Sequence, residues 1–331
     1  MTEMSRRTVL AAAAIGAAGG GVSLGGGPAG AAAPPASGQA PGVYRYKIGS
    51  LEVTVATDGA RTFPMPDNFV ANAKKDEIDA ALRAAYMEPG KMTIVFNPVV
   101  VNTGGKLVAI DTGNGAAAFE QSKGAVGQFQ TNLKAGGIDP ATVDAVLISH
   151  FHGDHINGLL TADGKKAFPN AEILVPQAEW AFWSDDGNMS KAAGGPIEGN
   201  FKNARRVFGA LGNKVTPYAH DKEVVAGITP IATPGHTPGH TSFILASGNA
   251  KVLLQSDVTN HPALFVRNPG WHAMFDMDGD QAEKTRRRMF DMASAEKLQV
   301  QGFHFPFPAA GYVEKDGTGY RLVPVAWSPT L

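Results

Sequence analysis

The sequence predicts an α/β protein in which two sheets are covered by outer helices, and three observations lead there. Apolar β-branched runs and amphipathic helical runs follow one another as strands, helix, strand, helix, helix, strands, helix, strand, which a regular doubly wound βα alternation does not give. The 331 residues have a globular composition, 44% hydrophobic and 18% charged, with 29 basic against 30 acidic side chains. After Gly42 no Pro/Ser-rich linker or long charge run divides the chain, so one large core is expected.

The N-terminal stretch stands apart. Ser5-Arg6-Arg7-Thr8-Val9-Leu10 has twin-arginine form and leads into an Ala/Gly-rich run too short and too rich in glycine for a stable membrane span. Ala29-Gly30-Ala31 offers a small-x-small cleavage site. Residues 1–31 are therefore read as a removed signal peptide, 32–42 as a flexible linker and 43–331 as the domain. A periplasmic or secreted protein, delivered by the twin-arginine export machinery, is expected.

Strands are read at Tyr44–Ile48, Leu51–Thr57, Thr93–Asn102 and Lys106–Ile110, short and close enough for an antiparallel meander. Asp76–Met87 places Ile78, Leu82 and Met87 on one helical face, and a second helix lies between Ala118 and Leu133, closed by Gly136-Gly137. Asp139-Pro140 opens a short turn into the apolar strand Ala145–Ser149. Glu172–Val175 is a strand, Pro176–Trp183 and Phe201–Leu211 are helices, and Gly227–Ala232, Thr241–Ala246 and Lys251–Gln255 are strands. Asp280, with Glu283 three residues on, starts a helix to about Ala293.

Cysteine is absent, which excludes disulfides, thiol nucleophiles, iron–sulfur clusters and thiolate zinc sites. A net charge of −1 gives no electrostatic footprint for nucleic acid. Any metal must then sit among nitrogen and oxygen donors, and nine histidines can supply the nitrogen. Three of them, with a carboxylate, crowd into His150-Phe151-His152-Gly153-Asp154-His155 directly after the strand Ala145–Ser149. Imidazole and carboxylate suit Zn2+, and also Mn2+, Co2+ or Fe2+. His236 and His240 lie in Thr233-Pro-Gly-His-Thr-Pro-Gly-His240, Asp257 ends another apolar run, and His304 follows a further one. So many ligands beyond strand ends exceed what a single four-ligand site needs, and two adjacent metals would use them.

These four segments, with the Asp111-Thr112-Gly113 turn, resemble the metallo-β-lactamase-fold hydrolase superfamily over essentially the whole domain. Within it, His304-Phe-Pro-Phe-Pro-Ala-Ala-Gly311 and Gly319-Tyr-Arg-Leu-Val-Pro324 look most like methyl parathion hydrolase and its lactone- and aryl-ester-hydrolysing relatives. The resemblance implies an αββα sandwich, two mixed sheets flanked by helices. It implies His150, His152 and His236 at a first metal, Asp154, His155 and His304 at a second, and Asp257 bridging both. A homodimer is the assembly that such relatives suggest.

The chemistry expected is hydrolysis by a metal-bridging hydroxide, with Asp154 as the catalytic group that orients it and passes a proton to the leaving group. Small uncharged esters, lactones or organophosphate triesters such as methyl parathion are the expected substrates. Asp257 stands where thiolate-using lactamases carry Cys, which disfavours β-lactams, and Asn260 stands where the best-known acyl-homoserine lactonases carry Tyr. A lactamase-like amide hydrolase is the alternative, followed by a noncatalytic metal-binding envelope protein. Phe119, Trp183 and Phe201 are expected to line the pocket, and Arg286, Arg287 and Arg288 to form a solvated helix face. Asp111 and His240 are read as hydrogen-bonding supports, His261 and His272 as loop residues, and His220 as solvated.

Overall fold

Alternation along the strands sorts their side chains into layers. In the computed structural model, which describes Ala36 and residues 38–331, β1 (Val43–Ile48) and β2 (Leu51–Ala56) form a hairpin, and β3 (Gly59–Pro64) pairs with β4 (Lys91–Phe96) as a separate arm. From β2 the first sheet continues through β5 (Val99–Asn102), β6 (Leu107–Ile110), β7 (Ala145–Leu147), β8 (Glu172–Pro176) and β9 (Thr216–Tyr218). It is antiparallel as far as β6 and parallel from there to β9. The second sheet runs in sequence order through β10 (Ile228–Ala232), β11 (Thr241–Ser247), β12 (Ala250–Ser256), β13 (Gln299–Gly302), β14 (Ala310–Asp316) and β15 (Gly319–Pro324), parallel only between β12 and β13. The twin-arginine segment and its cleavage site lie outside the described residues.

Val53, Val55, Val99, Val101, Val108, Ile110 and Leu147 point one way and meet Ile228, Phe243, Leu245, Val252 and Leu254 of the second sheet. Each such fully buried side chain contributes about 1.5–3 kcal/mol. The alternate positions Val100, Ala109, Val146, Ile173 and Val175 face outward. There they pack under α3 (Phe129–Ala135), α5 (Gln177–Ser184) and α7 (Glu198–Ala210). On the other side, Leu253 and Val300 meet Met289, Phe290 and Ala293 of α8 (Gly279–Ala295). The layers are thus helix, sheet, sheet, helix. The arm β3–β4 packs with α1 (Lys75–Ala84) and a helical turn at Pro262–Val266 in a satellite core.

Several elements differ from the sequence reading. The run Thr93–Asn102 is broken at Asn97-Pro98, where proline cannot donate to a ladder and Asn97 Nδ2 instead donates to Phe303 O (3.1 Å) and Phe305 O (2.8 Å). The helix read between Ala118 and Leu133 is two helices, α2 (Gly115–Gln121) and α3, because Lys123, Gly124 and Gly127 take positive φ. The turn between them donates Gly127 and Phe129 N–H to the buried Asp58 carboxylate, at 3.2 and 2.9 Å. Residues Gly153–Ile156 form a helical turn, α4, and Asp186–Ala192 form α6. Among the described residues no helix is long and apolar enough to cross a membrane.

Candidate metal centre

Both sheets end at one edge, and the ligand-type residues lie just beyond those ends. His150, His152, Asp154 and His155 follow β7, while His236, Asp257 and His304 follow β10, β12 and β13. Asp111 after β6 and Ser256 at the end of β12 hold left-handed backbone, φ 59° and 52°. Such conformations cost a non-glycine residue about 1–3 kcal/mol and cluster at functional sites.

The donor atoms form three groups within 4.8 Å: His150, His152 and His236; His150, His155 and Asp257; Asp154, His155 and His304. All seven residues named from the sequence are therefore brought together. His152 Nδ1 lies 3.1 Å from His150 Nε2 and 2.9 Å from His236 Nε2. Asp257 stands between the groups, with Oδ2 3.4 Å from His236 Nε2 and 3.0 Å from His304 Nε2, and Oδ1 3.3 Å from His155 Nε2. Asp154 Oδ2 is 3.6 Å from His155 Nε2 and 3.5 Å from His304 Nε2.

Outer hydrogen bonds from one nitrogen of four rings leave the other nitrogen facing the centre, where a bound cation would displace any proton it holds. His150 Nδ1 donates to Ser149 Oγ (3.0 Å), His155 Nδ1 to Asp111 Oδ2 (2.8 Å), His236 Nδ1 to Asp276 Oδ1 (2.9 Å) and His304 Nδ1 to Val95 O (2.8 Å). Burial and the neighbouring imidazoles hold His150 and His152 well below the usual range, so both are neutral. Burial opposes charging of His155 and His304, yet Asp257, with Asp111 and Asp154 beside His155, raises both. His155 Nε2 and Asp257 Oδ1 are buried without hydrogen-bond partners. The imidazole nitrogens of His150, His152 and His236 converging within 3.1 Å, and a buried Asp257 carboxylate whose Oδ1 makes no hydrogen bond, fit a divalent cation, which such donors would hold.

Around these residues stands a support that was only partly legible. Asp111 accepts from Ser149 N (2.8 Å) and Ser149 Oγ (2.7 Å) as well as from His155. His240 is held neutral by burial, its pKa pushed down to about 3. Its Nδ1 donates to Thr233 O (3.0 Å) and its Nε2 accepts from Asp257 N (3.0 Å). Three supports were missed. Asp276 orients His236 and is itself paired with Arg286 at 3.2 Å. Arg286 is not on a solvated face: it is 1% exposed and donates to the carbonyls of Val258, Pro269 and Trp271. Its position in register with Ala282, Met289, Phe290 and Ala293 on the buried stripe of α8 was the available signal. Glu179 is the third, a buried carboxylate on α5. His220 is half-buried and hydrogen-bonds Thr241 Oγ1 (2.9 Å), so it too is not simply solvated. His261 caps the turn at Pro262–Val266 by accepting from Ala263 N (3.3 Å), and His272 meets Glu283 at 3.3 Å.

A cavity of about 1000 Å3 opens over the centre and reaches His152, Asp154, His236, Asp257 and His304. The aromatic residues named from the sequence do not line it. Trp183 and Phe201 are 1% and 0% exposed because both sit on the inner faces of helices packed on the first sheet. Phe119 is on the outward side of α2 and is 38% exposed. The apolar walls come instead from Phe63, Ile94 and Phe96 of the arm and from Leu160, Met274 and Phe275, with Arg61 and Arg206 as charged members.

Residues 97–297 match the metallo-beta-lactamase superfamily. The chain is 36% identical over 138 residues to the N-acyl homoserine lactonase AttM of Agrobacterium fabrum (strain C58 / ATCC 33970), a match covering 41% of the chain and 47% of the lactonase. It thus spans about half the length of that relative. It is 37% identical over 92 residues, 28% of its length and 24% of the relative's, to an atrochrysone carboxyl ACP thioesterase of Passalora fulva. Among solved structures, the dizinc quorum-quenching lactonase AidC superposes with a TM-score of 0.80 at 24% identity, covering 87% of this chain and 99% of that one. The hydrolase AbOPH gives a TM-score of 0.79 at 27% identity, covering 88% and 100%. The layered sheets, the shared edge where the ligand-type residues converge and the match over most of the domain agree, and the chain belongs to the metallo-beta-lactamase superfamily.

Proposed function

We propose that the protein is a metal-dependent hydrolase of lactones and aryl esters, with neutral organophosphate triesters as a secondary substrate class. The observation that carries this reading is the convergence of seven ligand-type side chains, five of which line an apolar-walled cavity while His150 and His155 lie buried beneath it. In this reading His150, His152 and His236 would hold one ion and Asp154, His155 and His304 a second, with Asp257 within reach of both groups; Zn2+ suits the donors best. When bound, such ions would supply Lewis acidity and bring the pKa of a water down towards neutrality, which a chain without thiols needs at neutral pH.

The remaining work falls to the chain's own groups. The Asp154 side chain is 23% exposed towards the cavity, and its carboxylate takes the proton of the attacking water and returns it to the leaving oxygen. Asn260 lines the cavity near Asp257 and His304, and its amide is placed to hydrogen-bond the substrate. Phe63, Phe96, Met274 and Phe275 exclude water and receive the apolar part. The relatives' names, lactonase and thioesterase, favour acyl over phosphoryl substrates.

The test is to reconstitute the purified protein separately with zinc, manganese and cobalt. Each form is then assayed on dihydrocoumarin, a long-chain acyl-homoserine lactone, an aryl phosphotriester and a cephalosporin. Lactones ranking first supports the reading; metal-replete protein inert on all four removes it, and a cephalosporin ranking first replaces it with amide hydrolysis. Export to the periplasm is proposed on Ser5-Arg6-Arg7-Thr8-Val9-Leu10. Changing Arg6 and Arg7 to Lys abolishes recovery from the periplasmic fraction if the twin-arginine route is used, and unchanged recovery rules that route out.

A further inference from the structure

One carboxylate joins the two halves of this centre without touching it. Glu179 on α5 is fully buried. Its Oε2 accepts from the backbone N–H of Phe151 (3.2 Å) and the indole N–H of Trp183 (2.5 Å). Its Oε1 accepts from the Thr237 hydroxyl and from the Gly239 N–H (2.8 Å). Phe151 lies between His150 and His152 on the loop beyond the first sheet; Thr237 and Gly239 lie between His236 and His240 on the loop beyond the second. The carboxylate therefore holds together two backbones that belong to different sheets and that together carry the first ligand group.

We propose that Glu179 is a positioning residue that sets the geometry of His150, His152 and His236 by clamping these two loops. The inference rests on the metal-centre reading above. The repeated Thr-Pro-Gly-His quartet acquires a division of labour from it. The first quartet supplies the ligand His236. The second supplies Thr237 and Gly239 as donors to Glu179, and His240 as the acceptor that seats Asp257. Gly239 is required by the close approach, since a Cβ there would fall 2.3 Å from the Glu179 backbone nitrogen. Trp183 also finds its role here, as a donor to the clamp rather than a pocket wall. All four partners donate, and the two oxygens of a carboxylate can accept from all four. The amide of glutamine turns an N–H towards two of them.

The test uses the full chain, stripped of metal and titrated with Zn2+ against a competing chelator to obtain stepwise affinities. Glu179→Gln is expected to weaken one of two affinities by about 10- to 100-fold and leave the other near wild type. Thr237→Val, which removes one donor, is expected to weaken the same step by about 3- to 10-fold. The Co2+ absorption spectrum of that step changes shape in both variants, which a loss of fold stability alone does not produce. Wild-type affinities and an unchanged cobalt spectrum in both variants overturn the proposal. If Glu179→Gln does not fold, Thr237→Val and Trp183→Phe decide it by the same two readouts. Wild-type protein that takes up no Zn2+ overturns the metal-centre reading itself, a result distinguishable because it needs no variant.

Discussion

Replacing Arg286 with Met removes a buried guanidinium that makes four hydrogen bonds. Its Nε donates to Val258 O at 2.9 Å, its Nη1 to Pro269 O and Trp271 O at 2.8 Å each, and its Nη2 to Asp276 Oδ2 at 3.2 Å. Asp276 and Arg286 side chains are both 2% exposed, so solvent does not screen the pair. Against the cost of burial, His236 and Arg286 keep Asp276 ionised, holding its pKa below the usual carboxylate value. Methionine fills much of the volume but leaves that charge and three carbonyls without their donor. Breaking one side of a buried pair costs about 3–5 kcal/mol. At about 2–4 °C per kcal/mol for a domain of this size, the melting temperature falls by about 6–20 °C. Metal-free protein followed by circular dichroism is the assay, because bound metal would add its own stabilisation. Adding Asp276→Asn to Arg286→Met neutralises the orphaned charge and restores part of the loss. A single variant melting within 2 °C of wild type, or a double variant losing the sum of the two single losses, refutes the reasoning.

Asp257→Ala removes the carboxylate that stands between the ligand groups, and on the proposed two-ion reading the expected outcome is a fall in bound Zn2+ from two per chain to one or fewer, measured by elemental analysis. Lactone hydrolysis falls with it by on the order of a hundredfold or more, and near-wild-type turnover overturns the assignment of Asp257 to both ions. A strong chelator abolishes hydrolysis and added Zn2+ restores it; activity surviving complete metal removal excludes metal-dependent chemistry. Asp58 gives a pH signature: burial raises its carboxyl to about 6 while N–H donors from Asn114, Phe129 and Gly127 oppose the rise. With an unfolded value near 3.9, the folded form holds this proton more tightly. The resulting stabilisation, about 3 kcal/mol, is complete below about pH 4 and lost as pH rises through about 6. Asp58→Asn flattens that segment in guanidinium titrations of the metal-free protein, and a wild-type-minus-variant difference that stays constant over pH 4–7 overturns it.

The ligands were legible because the sequence concentrates them. Three imidazoles and a carboxylate within six residues, after a run as apolar as Ala145–Ser149, have few explanations other than a cation site. The layers were legible because the order of strand-like and helical runs fits two covered sheets, and runs as apolar as Leu107–Ile110, buried on both faces, belong between a sheet and a helix layer. Supports that act through a single distant partner were not. Arg286 reads as one of three arginines until the stripe through Ala282 and Met289 is traced, and only tertiary packing supplies Asp276. Glu179 is a carboxylate on the helix that carries Trp180, Phe182 and Trp183, a placement that becomes meaningful once four donors are found around it. The pocket was misassigned for a related reason. The Trp183 ring lies 6.5 Å from that of His152, with Phe201 packed on it, but both are buried in the core, and much of the cavity wall comes from the β3–β4 arm, half of which the sequence does not mark as a strand.

The ligand residues are shared between two sheets and spread from His150 to His304, so no fragment from the first sheet alone carries a full set. During synthesis the first group is complete only when His236 has emerged, and the second only when β13 has been made and paired beside β12. A complete set of ligand-type residues thereby reports a finished tertiary structure, after the slow, long-range pairing of strands. A chain truncated before β13 lacks His304 and the strand that pairs beside β12, so its set of ligand-type residues stays incomplete whatever ion is supplied.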